Sequence, residues 1–259
     1  MAEQGGDARS LVGRVALITG AARGMGRETA RLFAAAGAHV AVTDIDEEAA
    51  RRAAYDIVEQ GGSARAWTLD VTDVAGIRAV VAEIVAAWGG LDILVNNAGI
   101  GSRLPIDDPG YDANWARLLD LLLTAQQRLI RAALPHLRAS EVPRIVNIAS
   151  TEALGGTPGN TAYAAAKAGV VGLTRTLAVE LGREGITVNC ICPGPILTEI
   201  TSRIPEEDRN RFARRRTALG RYGRAEEVAH MTLSLCLPAA SYVTGVVIPV
   251  DGGLTARNA

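Results

Sequence analysis

The chain has 259 residues, 48% of them hydrophobic, and no Pro/Ser/Gly-rich linker or charge block divides it, so it reads as a single domain with a large core. Its 27 basic and 28 acidic residues leave a formal charge of −1, which excludes a global attraction to nucleic acid or anionic membrane and points to a small-molecule partner. The polar start "MAEQGGDARSLVG" lacks the apolar core of a signal peptide, and apolar runs such as "LLDLLLTA" end well short of the roughly 18 residues of a membrane span, so a cytoplasmic protein is expected.

Along the chain, short β-branched runs alternate with longer amphipathic or Ala-rich ones. "RVALITG" precedes "GRETARLFAAAG", "HVAVTD" precedes "EEAARRAAYDIVEQG", and "ARAWTLD" precedes "VAGIRAVVAEIVAAWG". The rhythm continues through "LDILVNNAG", a helix from about Trp115 to Leu137, "RIVNIAS", a helix carrying Tyr163 and Lys167, "ITVNCIC", a helix from about Ala225, and "VTGVVIPV". Seven strands alternating with helices predict an α/β fold: a doubly wound, Rossmann-type domain with a parallel sheet covered on both faces. Ligands in such folds bind beyond the carboxyl ends of the strands. Residues 195–224 break the rhythm. They exceed the roughly 2 to 6 residues of an ordinary αβ connection and are expected to form a substrate lid.

The turn after the first strand, "TGAARGMG", carries Gly20, Gly24 and Gly26 around Arg23 and Met25. Such glycines permit a tight turn and close backbone approach, while the next helix presents free N–H groups and its positive dipole end to a pyrophosphate. The spacing G-x-x-x-G-x-G differs from the usual dinucleotide fingerprint, so the loop alone is weak evidence. Asp44 ends the second strand 18 residues after Gly26, where a carboxylate can bind the adenosine ribose hydroxyls and repel a 2′-phosphate. NAD is therefore favoured over NADP, although Arg23 offers a cation that could attract that phosphate.

Tyr163 and Lys167 stand at i and i+4 in the otherwise smooth stretch "AYAAAKAGVV", hence on one helix face. Cys190 and Cys192 fall two apart in a predicted strand. With Cys236 they make an odd number and no second pair for a zinc site, so buried structural thiols are expected. His39, His136 and His230 have no metal-ligand spacing, and no metal is expected.

Taken together, "TGAARGMG", "LDVTD" (69–73), "NNAG" (96–99), Ser150, "YAAAK" (163–167), "CPGPILTE" (192–199) and "VDGG" (250–253) resemble the classical short-chain dehydrogenase/reductase family over essentially the whole chain. The resemblance implies that Ser150, Tyr163 and Lys167 carry the chemistry. It also implies that Asp70 and Val71 contact the adenine, that Asn97, Ala98 and Gly99 line the cofactor, and that Pro193, Gly194, Ile196 and Thr198 hold the nicotinamide end. Met25, Ile45 and Ile148 complete the expected cofactor contacts. One position departs from the pattern: Leu122 stands where the family usually has an asparagine that helps fix a water in the proton relay beyond the lysine.

Physical chemistry assigns matching roles. A phenol titrates near pH 10 and becomes a useful base only if nearby cations favour phenolate; Lys167 and an oxidised nicotinamide ring are expected to do so. Ser150 can hydrogen-bond the substrate oxygen. The expected function is hydride transfer between NAD(H) and a secondary alcohol/ketone pair. The alternatives are a 3-oxoacyl-[acyl-carrier-protein] reductase, for which "RNRFARRR" (209–216) could grip an acidic carrier, and a cofactor-binding redox sensor with weak activity. Glu152, if it points inward, discourages an anionic group close to the reacting carbon. The smooth face around Gly169 and Gly172, near "LLDLLL", predicts a homotetramer, as in relatives.

Overall fold

The structure, a computed structural model, describes residues 8–257; "MAEQGGD" of the polar start lies outside the described residues. Its first half is a run of βα units: β1 (Val15–Thr19), α1 (Gly24–Ala35), β2 (His39–Asp44), α2 (Glu47–Glu59), β3 (Ser63–Thr68), α3 (Val74–Trp88) and β4 (Ile93–Asn96). After α4 (Tyr111–Leu119) and α5 (Ala125–Ala139) come β5 (Arg144–Ile148), α6 (Thr161–Leu181) and β6 (Thr187–Pro193). The chain then forms β7 (Ile196–Leu197), α7 (Glu199–Ser202), α8 (Glu206–Arg216), β8 (Gly223–Arg224), α9 (Ala225–Cys236) and β9 (Val247–Val250).

Seven strands form one parallel sheet in the order β3-β2-β1-β4-β5-β6-β9. Alternate residues of β1 feed opposite faces, as the two-residue period of a strand requires. Ala16 and Ile18 pack with Phe33 of α1, Ile57 of α2 and Leu235 of α9. Val15 and Leu17 pack with Ile84 of α3, Leu129 of α5 and Leu181 of α6. Both faces are thus covered, which is why the central strands are apolar throughout.

A buried polar chain ties α6 to the sheet. Asn96 Nδ2 donates to Asn147 Oδ1 (2.9 Å), and Asn147 Nδ2 donates to Thr174 Oγ1 (3.0 Å) on α6. Because such groups are costly to leave unpaired, they fix where α6 lies against β5.

The long helix expected over 115–137 is broken into α4 and α5 by a π-helical turn, Asp120–Thr124. Turns of this kind insert an extra residue and concentrate at functional sites. Leu122 is in it. Residues 195–224 form the separate β7/β8 ribbon with α7 and α8 between its strands. Two arginines of the basic run of α8 are engaged within this segment. Arg209 Nη1 donates to the carbonyls of Ser202 (3.2 Å) and Ile204 (2.8 Å), and Arg211 pairs with Glu207 and Asp208. Glu206, Glu207 and Asp208 begin the helix and Arg214, Arg215 and Arg216 end it, matching the helix dipole. All three cysteines are buried and free.

Candidate active site

A cavity of about 400 Å³ opens at the carboxyl ends of β1, β2 and β4. Gly20, Arg23, Gly24 and Met25 form its floor, Asp44, Ile45, Asp70 and Val71 one wall, and Asn97, Ala98 and Gly99 another. Thr198 closes it from the 195–224 segment.

The glycine loop is shaped by close approach. A Cβ on Gly20 would lie 2.8 Å from Ala98 Cα, and one on Gly26 would run into the Gly20 carbonyl and come within 2.5 Å of Asn97 Nδ2. Gly20 and Gly24 have φ of 62° and 53°, the left-handed region that favours glycine. Asn97 holds the loop in place, its Nδ2 donating to the carbonyls of Thr19 (2.8 Å) and Gly20 (3.0 Å). No side chain caps the N-terminus of α1, so its first N–H groups remain available to an anion. The donors, the absent side chains and the cavity fit a dinucleotide pyrophosphate.

At the β2 side of the cavity, Asp44 accepts from the N–H groups of Ala22 (3.2 Å) and Asp46 (3.1 Å), which orients its carboxylate at the cavity wall. Ile45 is 68% exposed, an unusual place for a large apolar side chain and a ready platform for a flat ring. Asp70 accepts from the N–H and hydroxyl of Thr72, at 2.8 and 2.7 Å.

Ser150, Tyr163 and Lys167, on the stretch after β5 and on α6, do not line this cavity; Lys167 Nζ lies 3.9 Å from where a Cβ on Gly99, a lining residue, would stand. Ser150 follows β5 and caps the 3₁₀ turn Thr151–Ala153, its Oγ accepting from Glu152 N–H at 3.2 Å. Tyr163 and Lys167 project from one face of α6, with Lys167 Nζ 5.7 Å from the centre of the Tyr163 ring. Lys167 is 3% exposed, and its Nζ donates to the Ile148 carbonyl at 2.8 Å. Burial lowers its pKa to about 8. Burial also pushes the Tyr163 phenol above its ordinary value; Ser150 pulls it back, while the Glu152 carboxylate adds to the rise.

The comparisons with known proteins follow the same lines. The family model described as enoyl-(acyl carrier protein) reductase matches residues 20–255. The chain belongs to the short-chain dehydrogenase/reductase family. Among its relatives, a 3-oxoacyl-[acyl-carrier-protein] reductase of Thermotoga maritima is 40% identical over 94% of this chain and 98% of its own length. A (2S)-[(R)-hydroxy(phenyl)methyl]succinyl-CoA dehydrogenase subunit of Thauera aromatica is 41% identical over 93% and 96%. A meso-2,3-butanediol dehydrogenase of Serratia marcescens is 38% identical over 95% and 96%.

This short-chain dehydrogenase/reductase places several of the sequence-predicted residues outside the cavity lining. Gly26 is buried beneath the loop, and Ile148 meets Lys167 through its carbonyl. Pro193 ends β6, and Ile196 is in the core. Gly194 presses on the "VDGG" turn, where a Cβ would lie 2.7 Å from Asp251 Cα. Sequence reasoning missed Leu69, Ile100, Leu121, Glu199 and Arg203, all of which line the cavity. Ile100 directly follows "NNAG", Leu69 begins "LDVTD" and Glu199 ends "CPGPILTE", so these three could have been found from the motifs; Leu121 and Arg203 lie outside them. Leu122 is fully buried with Leu118, Ala162 and Ala166, its Cδ2 3.2 Å from where a Cβ on Gly99 would stand.

Proposed function

We propose that this chain is an NAD-dependent oxidoreductase that interconverts a secondary alcohol and a ketone, with Tyr163 as general acid/base. The observation that carries the proposal is the convergence of Ser150, Tyr163 and Lys167, from the end of β5 and one face of α6, beside a cavity fitted to a dinucleotide. When bound, the nicotinamide supplies the hydride acceptor and, in its oxidised form, a positive charge. Tyr163 takes the hydroxyl proton during oxidation and returns it during reduction. Ser150 donates to the substrate oxygen as charge develops there. Lys167, anchored on Ile148, is positioned to bond the nicotinamide ribose and to favour phenolate once the cofactor's charge adds to its own.

The preference for NAD rests on Asp44, whose carboxylate accompanies the apolar platform of Ile45 at the adenosine end. Residues 195–224 serve as the lid. Their Thr198 already reaches the glycine loop, its Cγ2 3.4 Å from where a Cβ on Gly24 would stand. Assembly into a tetramer is retained as part of the proposal, on a narrower surface than the sequence suggested. Gly169 faces Leu123 of its own chain, but Gly172 meets nothing within 4 Å and Val179, two turns on, is 83% exposed.

Reduction of a 3-oxoacyl thioester is the second reading, favoured by the printed name of the Thermotoga maritima relative. The Glu152 carboxylate, which raises the Tyr163 pKa, disfavours an anionic substrate group beside the phenol, but a 3-oxoacyl thioester is neutral at its reacting carbonyl and is not opposed by it. A panel of secondary alcohols, ketones and 3-oxoacyl thioesters, each run with NAD(H) and NADP(H), tests both. Turnover confined to the thioesters would move the assignment to the second reading; none with any substrate, despite tight NAD binding, would leave a sensor.

A further inference from the structure

Arg23, the one cation in the glycine loop, is already engaged. Its Nη2 lies 2.5 Å from Asp46 Oδ2, and its Nε lies 3.3 Å from Glu199 Oε2 at the start of α7. Asp46 is itself fixed. Its other carboxylate oxygen accepts from the Ala49 N–H (3.0 Å) as the N-cap of α2, and its own N–H donates to Asp44 (3.1 Å). One short segment after β2 therefore carries both the carboxylate expected at the ribose and the carboxylate that holds the loop's arginine.

We infer that Asp46 is a second determinant of cofactor choice: by pairing with Arg23 it withholds the cation that a 2′-phosphate would need. The inference rests on the proposed placement of the adenosine ribose at Asp44. In dinucleotide folds an arginine near this point accommodates the 2′-phosphate, while an acidic residue binds the free 2′-hydroxyl. Here Arg23 can turn to a phosphate only by leaving Asp46, and the phosphate would then face the uncompensated charges of Asp44 and Asp46. Glu199 adds a third carboxylate, at the Nε of the same guanidinium. The consequence reverses the ordinary reading of the loop, in which Arg23 counts towards NADP. The ion pairs are exposed, with Arg23 47% and Asp46 36% open to solvent, so removing them leaves the fold intact.

Asp46→Asn separates charge from structure, since asparagine caps a helix as well as aspartate does while holding Arg23 less firmly. Asp46→Ser, also a good cap, serves as the second variant. Binding of NAD⁺ and NADP⁺, and of the fragments AMP and 2′,5′-ADP, is measured by calorimetry on the purified protein without substrate, with circular dichroism as the check on folding. The expected result is a shift of at least fivefold in the affinity ratio towards NADP⁺ and 2′,5′-ADP in either variant, cancelled when Arg23→Ala is added. A smaller shift in both folded variants, or a gain that survives Arg23→Ala, overturns the inference. Failure of the NAD proposal would look different: the unaltered protein would bind NADP⁺ at least as tightly as NAD⁺, whatever the Asp46 variants do.

Discussion

Lys167 Nζ on α6 lies 2.8 Å from the carbonyl oxygen of Ile148, the last residue of β5, and has no carboxylate partner among the described residues. Holding a cation against a neutral acceptor in a buried place leaves its proton loosely bound, with a pKa of about 8. The folded-state value is below the unfolded one, so between about pH 8 and pH 10.5 the unfolded chain holds more of this proton. Stability should therefore gain from this group as pH rises through that window, by a total on the order of 3 kcal/mol. Melting curves of the protein and of Lys167→Met from pH 7 to 10.5 check it. The variant should lack this upward component, and parallel curves would contradict the assignment.

Tyr163→Phe removes one hydroxyl from an otherwise unchanged ring. Turnover should fall by about 10² to 10⁴-fold, the usual contribution of a positioned acid or base, while the fold and cofactor affinity stay nearly constant. Residual activity within tenfold of the parent in steady-state assays would remove Tyr163 from the chemistry.

Glu152→Gln addresses the pH dependence. The phenol is raised first by burial, and the neighbouring carboxylate pushes the same way, so neutralising it should make phenolate easier to form. The acid limb of the pH profile for alcohol oxidation should move to lower pH. Thr157 Oγ1 donates to Glu152 Oε1 at 2.7 Å, and glutamine preserves that acceptor. An unmoved or upward-shifted limb would show that Glu152 does not act on the phenol.

Leu122→Asn, which restores the usual family residue, should destabilise the protein. Leu122 is fully buried among Leu118, Ala162 and Ala166, so the exchange loses packing and buries an amide in an apolar pocket. A cost of about 3 kcal/mol or more is expected, lowering the melting temperature by roughly 6 °C or more. An unchanged melting temperature together with higher turnover would mean that the pocket accepts a polar group and that leucine had cost activity.

Gly26→Ala tests the cradle. The added methyl group meets backbone at Gly20 and the Asn97 amide that pins the loop, so the loop itself must move. Cofactor dissociation constants measured by calorimetry should rise at least tenfold, and a change under twofold would show that this turn does not hold the pyrophosphate.

The sequence by itself determined the architecture and the family. Strand and helix periods are local, and the order of glycine loop, Asp44, "NNAG", Ser150 and "YAAAK" along alternating βα units leaves few ways to fold them. A parallel sheet then gathers the strand ends on one edge. Even the i, i+4 relation of Tyr163 and Lys167 follows from helix geometry alone. Only the tertiary structure decided what those groups face. Arg23 meets Asp46 and Glu199, residues 23 and 176 positions away, and so a loop arginine that reads as a phosphate ligand becomes a paired one. Lys167 is directed at a carbonyl and Tyr163 is desolvated, so their proton affinities depend on burial, which no spacing encodes. Gly169, smooth in the sequence, is covered by Leu123, and Leu122 fills an apolar pocket across a π-helical turn that breaks the expected helix. Local periodicity carries no information about such long-range contacts; they exist only once the sheet has brought distant segments together.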